Sequence, residues 1–241
     1  MFSFSNIRYG YTDKLSLNNI NLSIKKNEFV CLLGPNGSGK STLFKLLNGL
    51  IYPSDGQYTF NNQQINAHFF KNSVNAKQFH QQVGFVFQNS DVQLFNTTVY
   101  DEIAFGPRQM GFSESEVNKR IMDCLTLLNI KKLENRVPYH LSGGEKKLVA
   151  IASVLSLNPD VLVLDEPLTG LTAQAQENII SIMQGLHNSG KTIIMSTHNF
   201  TQIKDYVTRF IEFSENHTIA LDAPAKLVLT NSELMAHLAS M

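Results

Sequence analysis

The chain reads as an α/β fold: a parallel sheet with flanking helices, a small N-terminal antiparallel β-subdomain and an inserted α-helical subdomain. Three observations predict it. Phe29-Val30-Cys31-Leu32-Leu33, Val161-Leu162-Val163-Leu164 and Ile193-Ile194-Met195 are short unbroken apolar runs, the pattern of strands buried on both faces of a parallel sheet. Each run ends at a polar or glycine-rich element, where such sheets place their ligands. Between about Asn89 and Asn158 the apolar periodicity turns helical.

The elements follow in order. Ile20, Leu22 and Ile24 alternate with polar residues as in a half-buried strand, and Tyr58 and Phe60 resume the alternation after the turn Pro53-Ser54-Asp55-Gly56. These form the small antiparallel sheet. Between them the first apolar run enters Gly34-Pro35-Asn36-Gly37-Ser38-Gly39-Lys40-Ser41, a G-x-x-x-x-G-K-[ST] string that leads into the helix-like Thr42-Leu43-Phe44-Lys45-Leu46-Leu47. Strand, loop and helix in that order are the context a phosphate-cradling loop needs. Backbone N–H groups along Asn36, Gly37, Ser38, Gly39 and on to Thr42 are expected to wrap phosphates, helped by the helix dipole. Lys40 is expected to reach the β- and γ-phosphates and Ser41 to offer its hydroxyl to Mg²⁺.

The stretch from Ala67-His68-Phe69-Phe70 to Phe79-His80 reads as an exposed loop and strand lead-in rather than a metal site. His68, His80, His140, His187, His217 and His237 are scattered, without paired metal-ligand spacing. Ser113-Glu114-Ser115-Glu116 reads as a helix start with acids in the first turn, and Ile121, Leu125 and Leu128 continue at helical spacing.

Leu141-Ser142-Gly143-Gly144-Glu145 is a second Ser-Gly-Gly element, ahead of another helix. A Ser hydroxyl, glycine N–H groups and a helix N-terminus make another anion-binding element. An ATP site closed from two sides is expected, with the two sides not necessarily supplied by one chain.

The second apolar run ends in Asp165-Glu166, ahead of Pro167. A carboxylate at a strand tip beside the phosphate loop suits the Mg²⁺ shell, the role expected of Asp165. Glu166 is then free to polarise the attacking water as general base. From Asp222 onward the chain reads as a short helical tail. The expected division is an ATP-binding domain over 1–225, with the helical subdomain at about 89–158, and a tail over 226–241.

Composition narrows the class. Twenty basic and twenty acidic residues balance to zero net charge, which argues against a nucleic-acid binder. Charged residues are 17% and hydrophobic ones 43%, an ordinary globular balance. Cys31 and Cys124 read as small core residues in a reduced compartment. Met1-Phe2-Ser3-Phe4 lacks the basic start of a signal peptide, and no apolar run reaches membrane-spanning length.

With these pieces in order, the chain resembles the ATP-binding subunits of ABC transporters over nearly its whole length. The motifs are the phosphate loop Gly34 to Thr42, Gln88 after Val83-Gly84-Phe85-Val86-Phe87, the Leu141 to Glu145 signature, Asp165-Glu166, and His198 in Ser196-Thr197-His198-Asn199. Tyr11 lies upstream, where the family places an aromatic ring against adenine. The resemblance implies a P-loop NTPase core that binds ATP and Mg²⁺. It implies that Lys40, Gln88, Glu166 and His198 serve hydrolysis, and that Ser41, Gln88 and Asp165 hold the metal, Asp165 through water. It further implies that His198 contacts the γ-phosphate and holds Glu166 in register. Ser142, Gly143 and Gly144 would approach the γ-phosphate of an ATP bound by a second ATPase subunit, either an identical copy or a paralogue.

Asp91-Val92-Gln93-Leu94-Phe95 and Val99-Tyr100-Asp101-Glu102-Ile103-Ala104-Phe105-Gly106-Pro107 are similar to the energy-coupling-factor branch, which includes cobalt and nickel importers. That likeness implies a transmembrane coupling protein and a substrate-binding membrane component as partners, at the cytoplasmic face of the cell membrane. Nickel or cobalt is the leading substrate, a vitamin the main alternative, and a soluble non-transport ABC ATPase the remaining one. A GTPase reading fails because Asn118-Lys119-Arg120-Ile121 lacks the Asp of an Asn-Lys-x-Asp motif. Two positions depart from the family pattern: Thr172 stands where a loop aspartate is usual, and Leu148 where many members carry Arg. A hydroxyl supplies no negative charge, so altered communication between the two subunits is expected.

Overall fold

The computed structural model describes residues 1–12 and 14–240. The chain opens with β1 (Phe2–Gly10) and β2 (Leu15–Ile24), runs through β3 (Phe29–Leu33) and α1 (Lys40–Leu47), and returns as β4 (Asp55–Phe60) and β5 (Gln63–Gln64). Four of these strands pair antiparallel in the order β2-β1-β4-β5. Cross-strand partners Phe4 and Tyr58 stack with ring centroids 4.7 Å apart. The Tyr58 hydroxyl donates to the Leu47 carbonyl at 2.8 Å, which fastens this sheet to the last turn of α1.

Residues 67–80 differ from the exposed loop that the sequence suggests. They form two helices, α2 (Ala67–Lys71) and α3 (Ser73–Gln82). Asn66 caps the first by accepting from Phe69 N, and Asn72 caps the second by accepting from Val74 N and Asn75 N. Phe79 is buried, with its ring 5.1 Å from that of Phe70 and 5.3 Å from that of Phe60. Two Asn caps and an aromatic cluster thus decide the local structure. His80 stacks on Phe70, and its burial lowers its pKa.

After β6 (Val83–Val86) the chain becomes helical: α4 (Val99–Met110), α5 (Glu114–Leu127) and α6 (Gly143–Leu155). Ser113 caps α5 by accepting from Glu116 N. The core then resumes with β7 (Val161–Leu164), α7 (Ala173–Asn188), β8 (Thr192–Ser196), the single turn α8 (Phe200–Ile203) and β9 (Arg209–Phe213). β10 (Ile219–Pro224), α9 (Ala225–Thr230) and α10 (Ser232–Ala239) end it. Asp222 therefore lies in a strand and not in a helical tail. It is held there by pairing with Ile211 across the ladder and by the Arg209 guanidinium, whose Nε and Nη2 each donate to it at 2.6 Å. Among the described residues no helix is long and apolar enough to cross a membrane.

Six strands form the central sheet in the order β10-β9-β3-β8-β7-β6. From β9 to β6 every neighbour is parallel, and β10 is an antiparallel edge. The sheet separates two apolar cores. Phe29, Cys31, Leu33, Leu162, Leu164, Ile193 and Met195 point to the helical side, while Val30, Leu32, Val161, Val163 and Ile194 point to the β-subdomain side. Burial on both faces is the physical reason for the unbroken apolar runs. Parallel register brings the C-terminal ends of β3, β6, β7 and β8 to one edge, and everything that follows is built there.

Candidate functional site

The phosphate loop follows β3 directly. Gly34 has φ 135°, and a Cβ there would lie 2.4 Å from the Phe213 carbonyl oxygen. Gly39 has φ 111°, and a Cβ there would lie 2.3 Å from the Ser16 carbonyl oxygen. Both the backbone conformation and the close approach exclude a side chain at these positions. Lys40, the first residue of α1, curls back so that its Nζ donates to the carbonyls of Gly34 at 2.8 Å and Pro35 at 2.9 Å. Burial lowers the Lys40 pKa, and the nearby Glu166 and Asp165 oppose that shift.

The loop has the chemistry to take a phosphate. Gly39 caps α1 without any side-chain acceptor, and the first turn holds no acid, so its N–H groups are available to an outside anion. Ser38 Oγ is buried and has no hydrogen-bond partner among the described residues. Asn36, Gly37, Gly39, Lys40, Ser41 and Thr42 line a cleft of about 390 Å³ together with Gln88, Glu166 and His198.

Three of these groups arrive by the same device. Gln88 is the second residue after β6 ends at Val86, Glu166 the second after β7 ends at Leu164, and His198 the second after β8 ends at Ser196. Gln88 Nε2 donates to Glu166 Oε2 at 2.9 Å. His198 Nδ1 lies 3.4 Å from Glu166 Oε1. Thr169 Oγ1 donates to Glu166 Oε2 at 3.1 Å. Glu166 itself has φ 43°, a left-handed conformation costly for a non-glycine residue. The Ser196 hydroxyl holds the turn: it accepts from Glu166 N at 2.9 Å and donates to Asp165 Oδ1 at 2.7 Å. Ser41, Gln88 and Asp165 offer only oxygen ligands, a donor set that suits a hard cation such as Mg²⁺.

Two of the predicted groups lie apart from this cleft. Tyr11, after β1, is 54% exposed and accepts from Lys45 Nζ at 3.2 Å. Ser142 caps α6 in a reciprocal box, with its Oγ accepting from Glu145 N while the Glu145 carboxylate accepts from Ser142 N at 3.0 Å. Those bonds from the Ser142 backbone and hydroxyl lower the Glu145 pKa. Ser142, Gly143 and Gly144 line a separate cavity of about 780 Å³ with Leu148, Gly170 and Thr172, and it shares no lining residue with the phosphate-loop cleft. Thr172 is the N-cap of α7, accepting from Ala175 N at 3.4 Å.

Lys147, which no motif singles out, and Gln93, from the Asp91–Phe95 stretch, bind the Gln88 segment to α6. Lys147 Nζ donates to the carbonyls of Phe87 at 3.1 Å and Gln88 at 2.7 Å. Burial pushes the Lys147 pKa down to about 8, against the pull of Asp165 and Glu166. Gln93 accepts from Phe87 N at 3.1 Å and donates to the Ala150 carbonyl at 2.9 Å. The sequence signal for Lys147 is a lysine in helical register with the apolar Ala150 and Ile151, a face where a charge needs a partner.

Residues 17–169 match the family model described as ABC transporter. The chain is 50% identical over 222 residues to the nickel import ATP-binding protein LarO of Lactiplantibacillus plantarum, covering 92% of each chain. It is 38% identical over 228 residues to the energy-coupling factor transporter ATP-binding protein EcfA of Methanothermobacter thermautotrophicus, covering 94% of this chain and 72% of the relative. Among solved structures it is similar to cbiO1 from Clostridium perfringens, part of the ABC transporter complex cbiONQ. The TM-score is 0.85 at 33% identity, covering 98% of this chain and 93% of that one.

Proposed function

Because the chain belongs to the ABC transporter family, as an ATP-binding subunit of the importer type whose ATP hydrolysis is coupled to transport, we propose that it powers nickel or cobalt uptake in an energy-coupling-factor-type complex. The observation that carries the hydrolytic half of this reading is the convergence of Gln88 and His198 on the Glu166 carboxylate beside the phosphate loop. The relatives named for nickel import and energy coupling support the transport half.

In this reading the backbone N–H groups from Asn36 to Thr42, with Ser38 Oγ, cradle the phosphates of ATP, and Lys40 swings from its two carbonyl acceptors to the β- and γ-phosphates. Ser41, Gln88 and Asp165 would hold Mg²⁺, which would offset phosphate charge when bound. Glu166 takes the proton of the attacking water at its carboxylate. Gln88 and His198 orient that carboxylate, and His198 meets the γ-phosphate. Tyr11, already exposed, provides a face for adenine.

The Ser142–Gly144 signature serves the ATP of a second ATPase subunit, identical or paralogous. Its location in a cavity apart from its own phosphate loop supports that assignment. Exposed Val92, Phe95 and Phe105 form the surface for the transmembrane coupling protein at the cytoplasmic face of the membrane, with a substrate-binding membrane component beside it.

The test is uptake by the assembled complex in proteoliposomes, with ATP on the side of this subunit. Accumulation of nickel or cobalt, abolished by Glu166→Gln, supports the reading. Accumulation of a vitamin alone moves the assignment to the alternative substrate. A chain that never co-purifies with membrane proteins is a soluble ATPase instead.

A further inference from the structure

We infer that Lys147 is a positioning residue that passes movement of the signature helix α6 directly to Gln88, and so to Glu166, within one chain. The inference rests on the reading of Gln88 and Glu166 as hydrolytic groups.

Ser142 to Gly144 occupy the N-terminal end of α6, and Lys147 lies one turn further on the same helix. Its ammonium donates to the carbonyls of Phe87 and Gln88 at 3.1 and 2.7 Å. Gln88 then donates through its side chain to Glu166 at 2.9 Å. The path from signature to Glu166 therefore runs through one lysine and one glutamine. Lys147 is buried, which shields its two hydrogen bonds in part from solvent.

The attachment is rigid as well as short. Gln93 bridges Phe87 N to the Ala150 carbonyl, and Lys146 Nζ pairs with Asp91 at 2.7 Å. The segment from Phe87 to Gln93 is thus pinned to α6 at three points. Lys147 is the only one of the three that touches Gln88 among the described residues. A shift of α6, such as docking of Ser142–Gly144 on another subunit's nucleotide would impose, carries the Gln88 backbone with it. Each site would then sense whether its own signature is engaged.

A double-mutant cycle on the assembled complex tests this, with steady-state ATPase rate, KM for ATP and Hill slope as readouts. Lys147→Met is expected to lower kcat about ten-fold with KM for ATP within about two-fold, and to flatten the Hill slope toward one. Lys147→Arg, whose planar fork can serve both carbonyls, is expected to restore most of kcat. In a Gln88→Ala background, Lys147→Met is expected to cost less than about two-fold more, because its route is already cut. Full additivity of the two substitutions overturns the inference while leaving Gln88 a hydrolytic residue. A Gln88→Ala enzyme with unchanged kcat overturns both this inference and the hydrolytic reading on which it rests. Should Lys147→Met fail to assemble, the cycle is run with Lys147→Gln, and full additivity with Gln88→Ala again overturns the inference.

Discussion

Gln88 Nε2 and Glu166 Oε2 meet at 2.9 Å across 78 residues of chain, each side chain standing two residues beyond the end of a parallel strand. The pair is a product of sheet register. β6 and β7 run parallel with Val86 opposite Leu164, so the two turns that follow emerge side by side. His198 reaches the same carboxylate from β8 by the same offset.

On the proposed reading of Glu166 as general base, Glu166→Gln removes the acceptor for the water proton but keeps the size of the side chain. ATPase activity of the assembled complex is expected to fall by about a hundred-fold or more. ATP binding, read with a fluorescent analogue, is expected to change little. Equal ATPase rates in both proteins would assign the general base elsewhere.

Gly143 differs from the glycines of the phosphate loop. A Cβ at Gly143 meets nothing within 4 Å, and its φ is not positive. Gly143→Ala is therefore expected to leave the melting temperature equal or slightly higher, since alanine is favoured over glycine in a helix by up to about 1 kcal/mol. On the proposed role of the signature, ATP-driven dimerisation is expected to be lost, because the added Cβ would take the space proposed for another subunit's phosphate. Gly39→Ala, by contrast, meets the Ser16 carbonyl and is expected to lower the melting temperature. A Gly143→Ala protein with normal dimerisation and ATPase would sink the signature assignment.

Thr172 caps α7, and aspartate is at least as good a cap. Relative to the aspartate that the family resemblance leads one to expect there, Thr172 lacks a charge and not a cap. Thr172→Asp is expected to keep stability within about 0.5 kcal/mol in denaturant titration. The Hill slope or the turnover rate is expected to change. No change in either would mean the position carries no signal between subunits.

Burial holds the Cys124 thiol up to about 12, with Asp123 adding to the shift and Arg120 opposing it, and pushes Cys31 up as well. At pH 8 the thiolate fraction of Cys124 is roughly one in ten thousand. Native protein is expected to resist thiol labelling that goes rapidly after denaturation. The linkage has a definite sign. An unfolded thiol ionises near its ordinary 9.0, while folded Cys124 keeps its proton until about 12. The unfolded chain then holds fewer protons, so this contribution to stability is complete below pH 9 and is lost as the pH rises through 12. A melting temperature that rises over that range in Cys124→Ala relative to the parent would support the assignment; identical profiles would oppose it.

Local sequence signals were enough to place β3, β7 and β8 and the loops that follow them. An apolar run reports burial on two faces, and Gly34 to Ser41 reports a backbone that only glycines permit. The same kind of signal misleads at residues 67–80, where burial of Phe79 against Phe60 and Phe70 depends on partners outside the segment. It also misplaces Asp222, which Arg209 on the neighbouring strand holds in β10. Which side chains share a cleft was settled by tertiary packing. The register of β6, β7 and β8 gathers Gln88, Glu166 and His198 around one carboxylate, and the placing of α6 sets Ser142 to Gly144 in a different cavity while Lys147 reaches back to Gln88. No local pattern encodes those distances, since each depends on how far two strands or a helix and a loop are offset when the whole sheet packs.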